Sequence, residues 1–190
     1  MSARDWYWVR HGPTHAKAMI GWTDLPADLS DTAKLARLEA MLPTGGKVVS
    51  SDLSRATATA DAIQAQRTRL PHVAGLREMQ FGAWEGLTHT EAEALERDRI
   101  FAFWDQPGDT APPDGESWNA LRARVDTAVE AIDATMPPGP IIAVAHFGVI
   151  LTQVQRALGI TAREVFAQKI DNLSLTQISG GKAVRINHIP

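Results

Sequence analysis

Two histidines and two arginines of this 190-residue sequence stand at or just beyond the ends of short apolar runs. Trp6-Tyr7-Trp8-Val9 leads into Arg10-His11-Gly12. Lys47-Val48-Val49-Ser50 leads into Ser51-Asp52-Leu53-Ser54-Arg55, and Ile141 to Ala145 leads into His146-Phe147-Gly148. Guanidinium forks match phosphate oxygens bidentately. A neutral imidazole placed among them can attack phosphorus as a covalent nucleophile. The set therefore implies phosphoryl transfer through a phosphohistidine. The sequence contains no cysteine, which excludes disulfides, thiolate zinc sites, iron–sulfur clusters and a thiolate nucleophile. His11 and His15 are four apart, as a helical metal pair would be, but Gly12-Pro13 argues against a helix there. No metal or other cofactor is expected. His72, His89 and His188 read as exposed or structural. The net charge of −3 and the dispersal of the 14 arginines argue against a nucleic-acid partner.

Ligands of open α/β sheets bind at the carboxyl ends of the strands, so the three runs must be strands that converge. The pattern supports this. Leu35, Leu38 and Leu42 recur at helical spacing over about 32–42, with Pro43 and Gly45-Gly46 as the stop. Ala56, Thr59, Ala60 and Ile63 form a small-residue face over about 54–66, and a short strand is expected near 72–76. Thr88-x-x-Glu91 and Thr161-x-x-Glu164 are capping-box signatures. Leu121 to Met136 traces one face of a helix at 117–136, ended by Pro137-Pro138-Gly139-Pro140. Ile141 to Ala145 is apolar throughout, as a central parallel strand is, and a helix at 148–158 follows it. Residues 174–178 and 183–188 read as strands around Gly180-Gly181. The order predicts one three-layer α/β/α domain over 1–190 with a mostly parallel central sheet. The loop 104–116, rich in Pro, Gly and Asp, is long for a connection and reads as functional or mobile. The charged start, residues 1–5, has no apolar run fit for a signal peptide, and the longest apolar stretch is half a membrane span; a cytoplasmic protein is expected.

The motifs resemble those of the histidine phosphatase, or phosphoglycerate-mutase-like, superfamily. Val9-Arg10-His11-Gly12-x-Thr14, Gly21-Trp22-x-Asp24 and Leu29-Ser30 come first, then Ser50-Ser51-Asp52-Leu53-x-Arg55-Ala56-x-x-Thr59-Ala60. Leu76-x-Glu78-x-x-Phe81-Gly82-x-Trp84-Glu85-Gly86, Asp114-Gly115-Glu116-Ser117, Ala145-His146-x-Gly148 and Asn172-x-Ser174 follow in the family's order. The resemblance implies His11 as the nucleophile, Arg10, Arg55 and His146 as phosphoryl ligands, and Glu78 as proton donor to the leaving alcohol. Glu85, Glu91 and Glu116 are nearby alternatives to Glu78. Two guanidiniums and an imidazolium would supply the charge. His11 would need an acceptor on its second nitrogen, such as a backbone carbonyl.

This sequence departs from the family at three places. Lys17 replaces the usual Asn and would meet the phosphate as a point charge. Pro13 stands where an acid is common. Phe147 replaces a Gly; its backbone N–H stays available to the phosphate, and its side chain, with loop 104–116, would wall the leaving-group pocket. The short chain fits the phosphatase branch, and the 76–86 motif looks most like the alpha-ribazole phosphatase group, which acts late in cobalamin lower-ligand assembly. The expected partner is a small phosphorylated metabolite, with the protein a monomer or homodimer and no membrane contact. Mutase-type transfer and a non-catalytic phospholigand binder are the alternatives.

Overall fold

A computed structural model describes residues 4–190; the reading of residues 1–3 as part of a charged start lies outside them. Six strands form one sheet: β1 (Asp5–Arg10), β2 (Lys47–Ser50), β3 (Thr68–Arg69), β4 (Ile141–Ala145), β5 (Leu175–Ser179) and β6 (Lys182–His188). Their order is β3-β2-β4-β1-β5-β6. β1–β4, β2–β4 and β2–β3 are parallel, whereas β5 runs antiparallel to both β1 and β6. Every residue of β4 is buried, because the central strand is covered on both faces.

The helices are α1 (Thr32–Ala40), α2 (Ser54–Ile63), α3 (His89–Asp105), α4 (Trp118–Thr135), α5 (Phe147–Leu158) and α6 (Ala162–Val165). α1 and α2 bury Leu35, Leu38, Ala60 and Ile63 against Val48, Ile142 and Val144. On the other face Leu121, Val125, Val149 and Val154 of α4 and α5 cover Trp8, Ile141 and Ala143. Alternation along the strands thus produces the three layers. Both expected capping boxes form, at Thr88–Glu91 and Thr161–Glu164.

The strand expected near 72–76 is displaced. β3 is only Thr68–Arg69, and Ala74–Leu76 is a 3-10 turn. Proline lacks the N–H a ladder requires, so Pro71 breaks the regular ladder, leaving one bond on each side of it, from Leu70 N–H to the Val48 carbonyl and from Val73 N–H to the Ser50 carbonyl. The loop expected at 104–116 also begins later, since α3 continues to Asp105. Its far end is pinned: Ala83 N–H donates to Pro113 O (2.9 Å) and Glu116 N–H to Gln80 O (2.8 Å). Among the described residues no helix is long and apolar enough to cross a membrane.

Candidate active site

β2, β4 and β1 are neighbours, with Ser50 in register with Val144 and Arg10 with Ala145. The residues that follow each strand therefore emerge side by side at one sheet edge. His11 N–H donates to Ala145 O (3.1 Å) and Ser51 N–H to Val144 O (3.3 Å). The His11 and His146 rings lie 5.0 Å apart between centroids. His11 Nδ1 is 2.7 Å from the Gly12 carbonyl oxygen, which can only accept, so Nδ1 carries the proton and Nε2 keeps its lone pair. The peptide that turns this ring is held at both ends. Asn172 Nδ2 donates to the His11 carbonyl (2.8 Å), and Gly12 N–H donates to Thr59 Oγ1 (2.9 Å). Thr59 in turn donates to the Arg55 carbonyl, which leaves a lone pair for Gly12. Burial depresses the His11 imidazolium to about 3, with Arg55 and Arg10 adding to it against the Gly12 carbonyl.

Arg55, on the first turn of α2, is buried and donates to the carbonyls of Gly21 (2.6 Å) and Thr23 (2.9 Å). Arg10 donates to Ile170 O (2.6 Å), and its guanidinium lies over the Phe147 ring at 5.4 Å. Its buried Nε has no partner among the described residues. His146 is fully buried, with Nε2 2.6 Å from Ser51 Oγ. The surroundings of the ring disfavour the imidazolium expected here. Burial holds this group's pKa well below its ordinary value, and His11, Arg55, Arg10 and Arg124 add to that.

The carboxylates separate by what they touch. Glu78 sits on the N-terminus of α5, its oxygens 3.1 and 3.2 Å from Gly148 N–H and one of them 2.9 Å from Met79 N–H. A Cβ at Gly148 would lie 2.5 Å from Glu78 Oε1, so only glycine admits this approach. Burial raises the Glu78 pKa against the pull of those two N–H groups and of Arg55 and Arg10. Glu85 instead accepts from Gly21 N–H, Trp22 N–H, Thr23 N–H and Oγ1, and Phe81 N–H. It builds the 21–23 loop whose carbonyls anchor Arg55. Glu116 is bound bidentately by Arg124 (2.7 and 2.6 Å). Glu91 caps α3. Glu85→Ala should cost about 2 kcal/mol of stability by stripping charged acceptors from several N–H groups; urea denaturation checks it, and an unchanged midpoint refutes the loop-building role.

Phe147 opens α5 and is half-buried, lining a pocket of about 40 Å³ with Glu78, Phe81, Trp104 and Phe166. Lys17 is exposed and makes no hydrogen bond or ion pair among the described residues. His15 faces Asp28 at 2.8 Å. Ser51, Thr59 and Asn172 stand in the sequence motifs without an evident role; Ser51 lies just beyond β2, which was a signal, whereas Thr59 lies within α2 and Asn172 just before β5. The Trp22 stack was not foreseen. Its ring lies 4.7 Å from Arg77 and 5.9 Å from Arg124, and its Nε1 and Arg124 both donate to the Glu78 carbonyl.

An α/β/α sheet that gathers two histidines and two arginines around its strand ends, beside a carboxyl whose pKa burial raises, is the frame of an enzyme for phosphoryl groups. The sequence matches the histidine phosphatase superfamily (branch 1) over residues 6–185. The chain belongs to that superfamily and is a phosphatase of the histidine type. It is 28% identical over 175 residues to the adenosylcobalamin/alpha-ribazole phosphatase of Salmonella typhimurium, covering 86% of this chain and 84% of the relative. It is 30% identical over 197 residues to a glucosyl-3-phosphoglycerate phosphatase of Mycobacterium tuberculosis, covering 95% and 87%. Three longer mycobacterial relatives are 31% identical, and the chain spans 45% of their length. The structure of a mycobacterial glucosyl-3-phosphoglycerate phosphatase with VO3 superposes with a TM-score of 0.84 at 27% identity, covering 98% of this chain and all (100%) of that one.

Proposed function

We propose that the protein is a phosphomonoester hydrolase that works through a phosphohistidine at His11 and requires no metal ion. The observation that carries this is the Nδ1 proton of His11 held on Gly12, which leaves Nε2 as a nucleophile between Arg10, Arg55 and His146. In the first step Nε2 bonds to phosphorus, the P–O ester bond breaks, and Glu78 gives its proton to the departing alkoxide. The Gly12 carbonyl steadies the positive charge that develops on the ring. In the second step water attacks phosphorus, the Glu78 carboxylate takes a water proton, and the P–N bond breaks to release phosphate and neutral His11. Arg10, Arg55, His146 and the Phe147 backbone N–H hold the equatorial oxygens, replacing the charge a metal would supply. Lys17, exposed and without a protein partner, is retained as an outer charge for the phosphate.

The substrate we favour is a small ester whose leaving group carries a flat apolar ring, alpha-ribazole phosphate being the first to test. The aromatic walls beside Glu78 support that preference by their chemistry rather than by the small space now between them, since Phe81, Trp104, Phe147 and Phe166 offer an acidic leaving group no cation. The name of the Salmonella relative points the same way. The protein acts in this reading as a cytoplasmic enzyme, monomeric or dimeric. The test is a panel of esters assayed with and without a chelator. Turnover should ignore the chelator, and kcat/KM for alpha-ribazole phosphate should exceed that for glucosyl-3-phosphoglycerate by about tenfold or more. Chelator-sensitive turnover would defeat the metal-free mechanism, and the reverse ranking would defeat the substrate.

A further inference from the structure

Ser51 follows β2 directly and is fully buried. Its Oγ makes one hydrogen bond among the described residues, to His146 Nε2 at 2.6 Å. The other ring nitrogen, Nδ1, is buried with no partner among the described residues. The pair has two protons to place, one on the hydroxyl and one on the neutral imidazole. With the ring proton on Nε2, that N–H donates to Ser51. The hydroxyl proton is then buried without an acceptor, and Nδ1 turns a lone pair toward any phosphoryl oxygen. With the ring proton on Nδ1, Ser51 donates to Nε2, and a single group of the pair is left over. The remaining Nδ1–H then awaits an acceptor, which a phosphoryl oxygen supplies. Each unmet buried donor or acceptor is costly, and the first arrangement leaves two (the hydroxyl proton and the Nδ1 lone pair) where the second leaves one, so the second wins.

We propose that Ser51 is a positioning residue that holds the single proton of neutral His146 on Nδ1, making the ring a hydrogen-bond donor to the phosphoryl group. This rests on the reading that the phosphoryl group sits between Arg10, Arg55 and His146. The device aids catalysis because it puts a donor on the phosphate without adding a third cation beside His11, whose lone pair must stay free. The depressed pKa of His146, caused by burial and the surrounding cations, fits a ring that works uncharged.

Imidazole nitrogen NMR on protein labelled with 15N-histidine tests it near neutral pH. The wild type should show His146 as the Nδ1–H tautomer. Ser51→Ala should lose that single tautomer, and its affinity for inorganic phosphate should fall about tenfold, as expected for one lost hydrogen-bond donor. Ser51→Thr, which keeps the hydroxyl, should restore both. An Nε2–H tautomer in the wild type overturns the proposal. So does Ser51→Ala that keeps a pure Nδ1–H ring with phosphate affinity within about twofold of wild type. The wild-type tautomer is read without turnover or mutation, so it stands apart from whether His11 becomes phosphorylated, which the His11 variant decides.

Discussion

His11→Ala should lower turnover of every ester the wild type cleaves by about 10⁴-fold or more, since removing a covalent nucleophile leaves only binding and electrostatic stabilisation. The fold should survive. The ring's one hydrogen bond is to the adjacent Gly12, and the peptide around it stays held by Asn172 and Thr59. Quenching a reaction with a 32P-labelled ester in alkaline detergent should trap label on the wild type that survives alkali and is released by acid, and none on His11→Ala. Label that persists in the variant refutes the assignment. The same residue sets a pH signature. Its folded-state pKa is about 3, below the ordinary 6.5. Between those values the unfolded chain binds a proton that the native state refuses. Stability from this group is complete above about 6.5 and is lost progressively as pH falls toward about 3. His11→Ala should remove that part of the acid destabilisation. In kinetics, the nucleophile remains neutral through mildly acidic pH, so kcat/KM should show no acid limb near the ordinary histidine pKa.

The strand ends were legible because they combine two signals, an apolar run and an abrupt change to charged or polar residues. β4 is the clearest case: five apolar residues, all buried, then His146. Pro71 hid the position of β3, since the apolar residues after it look strand-like while the regular ladder with β2 is made before it and only the Val73 N–H bond to Ser50 follows. Glu78, Glu85 and Glu116 lie within one stretch and carry the same carboxyl. What distinguishes them is tertiary: the N-terminus of α5 for the first, the 21–23 loop for the second, Arg124 for the third. The anchors of Arg10 and Arg55 are backbone carbonyls, which leave no mark in side-chain identity. The charge of His146 is hard to read from sequence for a related reason. Counting cations around a phosphate favours an imidazolium, but the same cations and the complete burial of the ring oppose it before phosphate arrives.

Glu78→Gln should divide substrates by their leaving groups. Glutamine keeps the size of the side chain and can keep a carbonyl toward the Gly148 and Met79 N–H groups, so the site should stay assembled. It cannot deliver a proton. An alkyl ester, whose alkoxide must be protonated as it departs, should lose about 10²- to 10⁴-fold in kcat/KM, the usual worth of general acid catalysis. A nitrophenyl ester, whose leaving group departs as an anion, should lose far less in that step. Its kcat should still fall, because hydrolysis of the phosphohistidine needs the Glu78 carboxylate as base, and phosphoenzyme should accumulate. Equal losses for the two esters would remove Glu78 from the proton-donor role and return Glu85 and Glu116 to consideration. The pH dependence provides a second handle with the opposite sign to His11. Burial raises the Glu78 pKa, so its contribution to stability is present below the ordinary carboxyl range and is lost as pH rises through the folded-state value. The alkaline limb of kcat/KM for an alkyl ester should follow the same deprotonation. In Glu78→Gln that limb should vanish, because the group that titrates there no longer exists.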